Sequence, residues 1–329
     1  MLLDQWGRQV TYLRISVTDR CNLRCVYCMP PEGVERKTHD EIMRFEEIMQ
    51  VVQVAAEHGV RKVRLTGGEP LVRAGLPHLI EMIAKTPGIE DISLTTNGLL
   101  LERMAVALKK AGLTRINVSL DTLQPEKFAR ITRGGSLETV LRGLELAERL
   151  GMTPVKINAV AMRGINDDEI VDMARLSITR GWHVRFIELM PVSNQQPWGP
   201  GFPSPMDAYL SIPDIKKLLE PLGLALVEGH SHDGPASEYR LEGAGEGRVG
   251  FISPLSEHFC QTCNRLRLTA DGVFRPCLLH DIEVPFLQAL REGQPILPLL
   301  QQAVQSKPSG HEISLNHLPS NRCMLQIGG

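Results

Sequence analysis

Six of the seven cysteines fall into two short groups, Cys21, Cys25 and Cys28 near one end and Cys260, Cys263 and Cys277 near the other, with none between them. Disulfide frameworks use even numbers spread through short secreted chains, so this distribution reads as two metal sites. The first group is C-x3-C-x2-C on one loop. Three thiolates there can wrap one face of a cubane iron–sulfur cluster and leave one iron open for chemistry. Zinc would need a fourth ligand, and the nearest histidine, His39, lies well past Cys28. The spacing favours iron–sulfur over zinc. The second group reads Cys260-Gln261-Thr262-Cys263-Asn264-Arg265-Leu266-Arg267, followed later by Cys277. With His258 or His280 it would make a Cys3His zinc ribbon. Arg265 and Arg267 alternate on a predicted strand and face one way, which suits a polyphosphate and which a structural ribbon does not need. Spacing alone leaves zinc and iron–sulfur even at this second site.

The elements that must position these groups alternate along the chain. β-rich runs occur at 62–66, 91–95, 115–120, 155–160 and 183–187, with amphipathic stretches of helical length at 45–58, 75–85, 100–111, 137–150 and 167–180. Gly59, Gly112, Gly151 and Gly181 stand where helix C-caps belong. This rhythm predicts βα units on a parallel sheet, open or closing toward a barrel. It breaks at the Pro- and Gly-rich stretch 191–205, beyond which a helix at 212–222 and hairpins near Gly229, Gly243 and Gly272 are expected. The expected division is 1–210 and 211–329.

Ligands of parallel βα folds sit at the C-terminal ends of strands. There stands Thr66-Gly67-Gly68-Glu69-Pro70, whose glycines permit close backbone approach and whose Glu69 can accept from an ammonium, or merely cap a turn. Thr95, Thr96, Asn97, Asn117, Ser119 and Asp121 lie at the ends of other runs, and Lys156, Asn158, Arg185 and Glu188 lie within them. Charges inside a parallel sheet are costly without partners, so the set points to a polar, functional barrel mouth. The 36 Lys and Arg against 38 Asp and Glu exclude bulk coating of nucleic acid, and no apolar run is long enough to span a membrane. A cytoplasmic protein is expected, with no nucleic-acid or membrane partner.

C-x3-C-x2-C with Tyr27 before its last cysteine, together with the Gly-Gly-Glu turn, resembles the radical S-adenosylmethionine (SAM) enzymes. With Cys-x-x-Cys-Asn-Arg-Leu-Arg, Arg-Phe-Ile-Glu-Leu-Met at 185–190 and a terminal Ile-Gly-Gly, the chain resembles the molybdenum-cofactor biosynthesis A family, the GTP 3′,8-cyclases, from about Arg14 to Gly329. The resemblance implies an incomplete (βα)6 barrel with a smaller C-terminal α+β domain capping its opening. It implies two [4Fe–4S] clusters, on Cys21, Cys25 and Cys28 and on Cys260, Cys263 and Cys277. SAM would meet Tyr27, Gly68, Glu69, Ser119 and Met190. GTP would meet Arg14, Arg64, Thr95, Lys156, Arg265, Leu266 and Arg267. Arg185, Gly328 and Gly329 would act in the active site. The implied reaction takes the 3′ hydrogen of GTP and joins C3′ to C8, giving 3′,8-cyclo-7,8-dihydro-GTP. An external electron donor, cyclic pyranopterin monophosphate synthase as the next enzyme, and a homodimer are further expectations. Two other readings remain: a radical SAM enzyme acting on a peptide, and a non-catalytic zinc module. Cys323 is an extra cysteine, expected to be incidental in a mobile tail.

Overall fold

In the computed structural model, which describes residues 1–192, 197–227, 234–313 and 318–328, the alternating pattern becomes six consecutive βα units. They are β1 (Tyr12–Ser16) with α1 (Phe45–Glu57), β2 (Lys62–Thr66) with α2 (Leu76–Ala84), and β3 (Asp91–Thr96) with α3 (Leu101–Lys110). β4 (Arg115–Ser119) is followed by α4 (Pro125–Thr132) and α5 (Leu137–Arg149), β5 (Lys156–Ala161) by α6 (Ile170–Thr179), and β6 (His183–Glu188) by α7 (Ile212–Leu219). The remainder supplies β7 (Ala225–Leu226), β8 (Ser237–Arg240), β9 (Arg248–Ile252), β10 (Arg265–Leu268), β11 (Val273–Arg275), β12 (Val284–Pro285), α8 (Leu287–Arg291), α9 (Ile296–Gln305) and α10 (Met324–Ile327).

All twelve described strands belong to one sheet, in the order β12-β11-β10-β1-β2-β3-β4-β5-β6-β9-β8-β7. The eight central strands, from β10 to β9, are parallel, and the antiparallel pairs lie at the two edges. The C-terminal segment therefore does more than cap an opening: β10 extends the sheet beside β1, and β9 extends it beside β6. Glu188, fully buried at the end of β6, ties the segments together by accepting from the backbone N–H groups of Ile212, Leu255 and Ser256 at 3.0, 2.9 and 3.1 Å.

Strand periodicity divides the two faces. Leu13, Ile15, Val63, Leu65, Ile92, Leu94, Ile116 and Val118 point outward into one apolar cluster that also takes Ile48, Val51, Val52, Leu79, Ile80 and Leu144 from the helices. Each such side chain contributes roughly 1.5–3 kcal/mol on burial. The alternate residues Tyr12, Arg14, Lys62, Arg64, Arg115, Lys156 and Arg185 point inward. The hairpins expected near Gly243 and Gly272 form, as β8–β9 and β10–β11. β7 and β8 pair antiparallel across the position near Gly229, which itself lies outside the described residues.

Candidate active site

The inward face encloses one cavity of about 1220 Å³. In-register pairing sets Arg267, Arg14 and Arg64 side by side on β10, β1 and β2, and a second row runs from Asn117 through Lys156 to His183. The charged residues thus extend deep along the interior, down to strand starts such as Lys62 and His183, beyond the mouth where sequence had placed them. Among the described residues Arg185 meets Glu238 at 3.2 Å, and Arg115 pairs with Asp91. The cations press on one another. Burial, then Arg185 and Arg115, bring Lys156 down to about 7. Burial and Lys156 bring His183 down to about 4, so its ring is neutral at physiological pH. Burial and Arg265 bring Arg267 to about 10. Buried side-chain atoms left without a hydrogen-bond partner include Thr95 Oγ1, Asn158 Oδ1, His183 Nδ1 and Arg185 Nε, all on residues lining the cavity. A site built this way stabilises a polyanion with hydrogen-bond acceptors and donors of its own.

At one end of the cavity lies the loop of Cys21, Cys25 and Cys28. It is pinned from α4, because Arg24 and Val26 donate their N–H groups to Thr132 and Ile131 at 3.1 and 3.0 Å, and Arg133 Nη1 donates to the carbonyls of Arg24 and Met29. Gly68 fits against the same loop. A Cβ there would stand 2.4 Å from the Arg20 carbonyl oxygen and 2.6 Å from Leu325 Cδ1, so only glycine lets this turn approach. Tyr27 donates to Asp121 at 2.7 Å, and the Val160 N–H donates to the other carboxylate oxygen at 2.8 Å. Burial raises Asp121 to about 6. The three thiols are all pushed upward by burial, with Asp121 and Glu69 among the charges adding to it.

At the other end stand Cys260, Cys263 and Cys277, and here the electrostatics reverse. Burial pushes Cys263 up, yet Arg265 and Lys307 outweigh it and bring the thiol down to about 6. Arg265 Nη2 lies 3.6 Å from Cys263 Sγ, and Lys307 Nζ lies 3.4 Å from it. Cys277 is raised, by burial. Among the described residues no three His, Cys, Asp or Glu side chains converge as a single-ion site. His39 is exposed, His258 turns its Nδ1 to the Pro254 carbonyl and His311, and His280 Nδ1 accepts from the Ile282 N–H at 3.3 Å. A soft thiolate trio at either end is a donor set that suits an iron–sulfur cluster.

Comparison with known proteins bears on the whole chain. The chain is 49% identical over 328 residues to a GTP 3′,8-cyclase of Alkaliphilus metalliredigens, covering 99% of each chain. It is 51% identical over 329 residues to that of Pelotomaculum thermopropionicum, again covering 99% of each. The chain belongs to the GTP 3′,8-cyclase family. Residues 15–177 match the radical SAM superfamily and residues 182–313 match Molybdenum Cofactor Synthesis C, so the two matched regions meet near β6. Radical SAM membership implies SAM and a [4Fe–4S] cluster. The fold is also that of Streptococcus suis SuiB bound to S-adenosylmethionine, with a TM-score of 0.56 at 17% identity, covering 82% of this chain and 60% of that one. The cyclase thus spans about three fifths of the SuiB chain.

Most residues expected to serve this cyclase-family site line the cavity: the six cysteines, Tyr27, Gly68, Ser119 and Met190, and Arg14, Arg64, Thr95, Lys156, Arg185, Arg265 and Arg267. Two do not. Leu266 is buried in the outer apolar cluster, because alternation on β10 turns it away from its arginine neighbours. Glu69 is buried and already accepts from Leu71 N–H, Thr96 Oγ1 and Asn97 N–H at 2.9, 2.7 and 2.7 Å. Its carboxylate fixes the Gly-Gly turn to the end of β3, the capping alternative raised by the sequence. Gly328 sits over the strand ends, where a Cβ would lie 2.8 Å from Ser16 Cβ, and its carbonyl is 3.5 Å from Arg267 Nη1. Gly329 lies outside the described residues, as do 193–196 of the Pro- and Gly-rich loop. Cys323 is not an idle tail residue: it is buried with Met29 and Leu325 beside Cys21 and Cys28. Sequence reasoning missed Lys62, Arg115 and His183, although each begins a strand already recognised and alternates with a residue that was named. Lys307, on a loop after α9, carried no such signal.

Proposed function

We propose that this cavity converts GTP to 3′,8-cyclo-7,8-dihydro-GTP, the opening step of molybdenum cofactor biosynthesis, with SAM at the Cys21 end and GTP toward the Cys260 end. One observation supports the reading: a single cavity has a thiol trio at each end, and strand register lines it with rows of cationic side chains between them. Cys21, Cys25 and Cys28 would hold the [4Fe–4S] cluster of the superfamily, and Cys260, Cys263 and Cys277 a second one. With SAM, the first supplies one-electron chemistry strong enough to break an unactivated C–H bond.

The protein supplies placement and exclusion of water. Gly68, Tyr27, Ser119 and Met190 shape the SAM end, and the Tyr27–Asp121 hydrogen bond holds an acid beside the place of a sulfonium cation. Arg14, Arg64, Lys156 and Arg267 hold the triphosphate without a Gly-rich phosphate loop, each charge-assisted contact being worth roughly 1.5–3 kcal/mol. Arg265 and Thr95 orient the nucleoside, and Arg185, kept in the interior by Glu238, faces the same space. Gly328 sits over the strand ends, and the terminal Gly-Gly would complete the active site. About 1 Å of misplacement between reacting atoms costs on the order of 100-fold in rate, which is why so much of the wall is fixed by strand register.

The division at 210, an external electron donor, a cyclic pyranopterin monophosphate synthase consuming the product, a homodimer and a cytoplasmic setting belong to the same reading. Among the described residues no helix is long and apolar enough to cross a membrane. The test is 5′-deoxyadenosine formation by anaerobically reconstituted protein given SAM and a strong reductant. Formation that depends on GTP and accompanies a cyclised nucleotide is expected. SAM cleavage indifferent to GTP would remove the cyclase reading.

A further inference from the structure

Lys307 is the residue at the second thiol trio that this function leaves unexplained. It is 2% exposed and counts among the largest fully buried side chains. Its ammonium donates to the Arg265 carbonyl and to the Pro276 carbonyl, both at 2.9 Å, and lies 3.4 Å from Cys263 Sγ. Those three contacts use its three protons. Among the described residues no carboxylate comes within ion-pair distance of it. Carbonyl oxygens orient an ammonium without neutralising it, so a buried charge of this kind is costly unless something anionic stands beside it.

The chain also holds Lys307 from behind. Trp6 Nε1 and Gln5 Nε2 donate to its carbonyl at 3.1 and 3.4 Å. Arg8, paired with Asp4 at 2.6 Å, donates to the carbonyls of Cys260 and Pro308 at 2.7 and 2.6 Å. The N-terminal hook thereby locks both the lysine and a ligand backbone in place, and the ammonium cannot withdraw.

We propose that Lys307 is a positioning residue that acts through Cys263: a fixed counter-charge that raises the reduction potential of the cluster on Cys260, Cys263 and Cys277. This rests on the reading that those three thiols hold an iron–sulfur cluster. Hydrogen bonds to the sulfurs and local charge are what set such potentials. A cation at the thiolate favours the form carrying one more electron. Arg265 also reaches Cys263, at 3.6 Å, but on the proposed reading it answers to the substrate, whereas Lys307 is tied to two carbonyls of the protein whether or not substrate is present.

The experiment uses the full-length chain with the first trio removed (C21A/C25A/C28A), so that any cluster belongs to the second trio. Its midpoint potential is read by redox titration followed by electron paramagnetic resonance. K307M removes charge and donors, K307Q removes charge and keeps an N–H donor, and K307R keeps charge. K307M and K307Q are expected to shift the reduction equilibrium at least tenfold toward the oxidised form, ~59 mV for one electron, with K307R close to the parent. A protein that folds by circular dichroism yet holds a cluster only with Lys or Arg at 307 supports the same role. An unchanged potential in K307Q overturns it, as does loss of folding in all three variants, which would make Lys307 a strut. If the parent with Lys307 intact takes up no iron at the second trio, the cluster reading itself has failed, and Lys307 with it.

Discussion

The two thiol trios face one cavity from opposite ends, yet their surroundings have opposite sign. At Cys21, Cys25 and Cys28 every thiol is raised by burial, and the acids Asp121 and Glu69 weigh in the same direction. At Cys260, Cys263 and Cys277 two cations override burial at Cys263 and take it to about 6. The lesson is about what each end must accommodate besides its metal. On the proposed reading SAM brings a cation, which an acidic neighbourhood would stabilise, and GTP brings a polyanion, which Arg14, Arg64, Lys156, Arg265 and Arg267 would receive. Two similar ligand sets are thus distinguished by the charges around them more than by their spacing.

The most severe way to break the comparison is to remove one thiolate at each end. Cys25→Ala should abolish SAM cleavage outright. Cys263→Ala should keep SAM bound at the first trio and lose the cyclised product, with iron content falling to about half that of the double-cluster protein. Equal loss of iron from both trios in either variant would show that the ends are not separate sites. Next in size, Arg267→Ala should weaken GTP about 10- to 100-fold, as expected for a lost charge-assisted contact, and leave SAM affinity alone. Anaerobic equilibrium dialysis with each ligand checks this, and a matching loss of SAM would contradict it.

A smaller effect concerns Asp121. Burial lifts its folded pKa from 3.8 to about 6, so the folded chain binds the proton more tightly than the unfolded chain between those values. Its contribution to stability is therefore present at low pH and is lost as pH rises through about 6. In the cluster-free protein Asp121→Asn should be more stable than the parent at pH 8 by about 3 kcal/mol, and the gap should close toward pH 4. Chemical denaturation at the two pH values decides it, and a constant gap would contradict the assignment. The smallest effect is at Lys156, whose folded pKa is lowered to about 7. A bound triphosphate restores the proton, so the fall in GTP affinity should approach about tenfold for each pH unit above 7. Lys156→Met should flatten that slope, while an identical slope would place the titrating group elsewhere.

Much of this was legible in the sequence because both periodicities were strong. Arg265 and Arg267 were read as facing one way, and β10 places them so. β1 was overlooked because its short Tyr-Leu-Arg-Ile-Ser run adjoins the cysteine loop, which drew the functional reading. Contacts made across the whole chain were out of reach. Nothing local marks Lys307 as a neighbour of Cys263, because α9 and β10 meet only through the fold. Glu69 is a related case: a carboxylate at a strand end suits a ligand or a turn equally well, and only the fold shows that Thr96 and Asn97 of the next strand also donate to it. Leu266 was carried along by its arginine neighbours, although its own period places it in the core.

The central claim is that ligands at the two ends meet in one space. GTP deuterated at C3′ tests it directly, with mass analysis of the 5′-deoxyadenosine released from SAM. The account predicts deuterium in that product. Unlabelled 5′-deoxyadenosine, formed at an undiminished rate, would contradict it and mean that the two thiol trios do not work on one substrate.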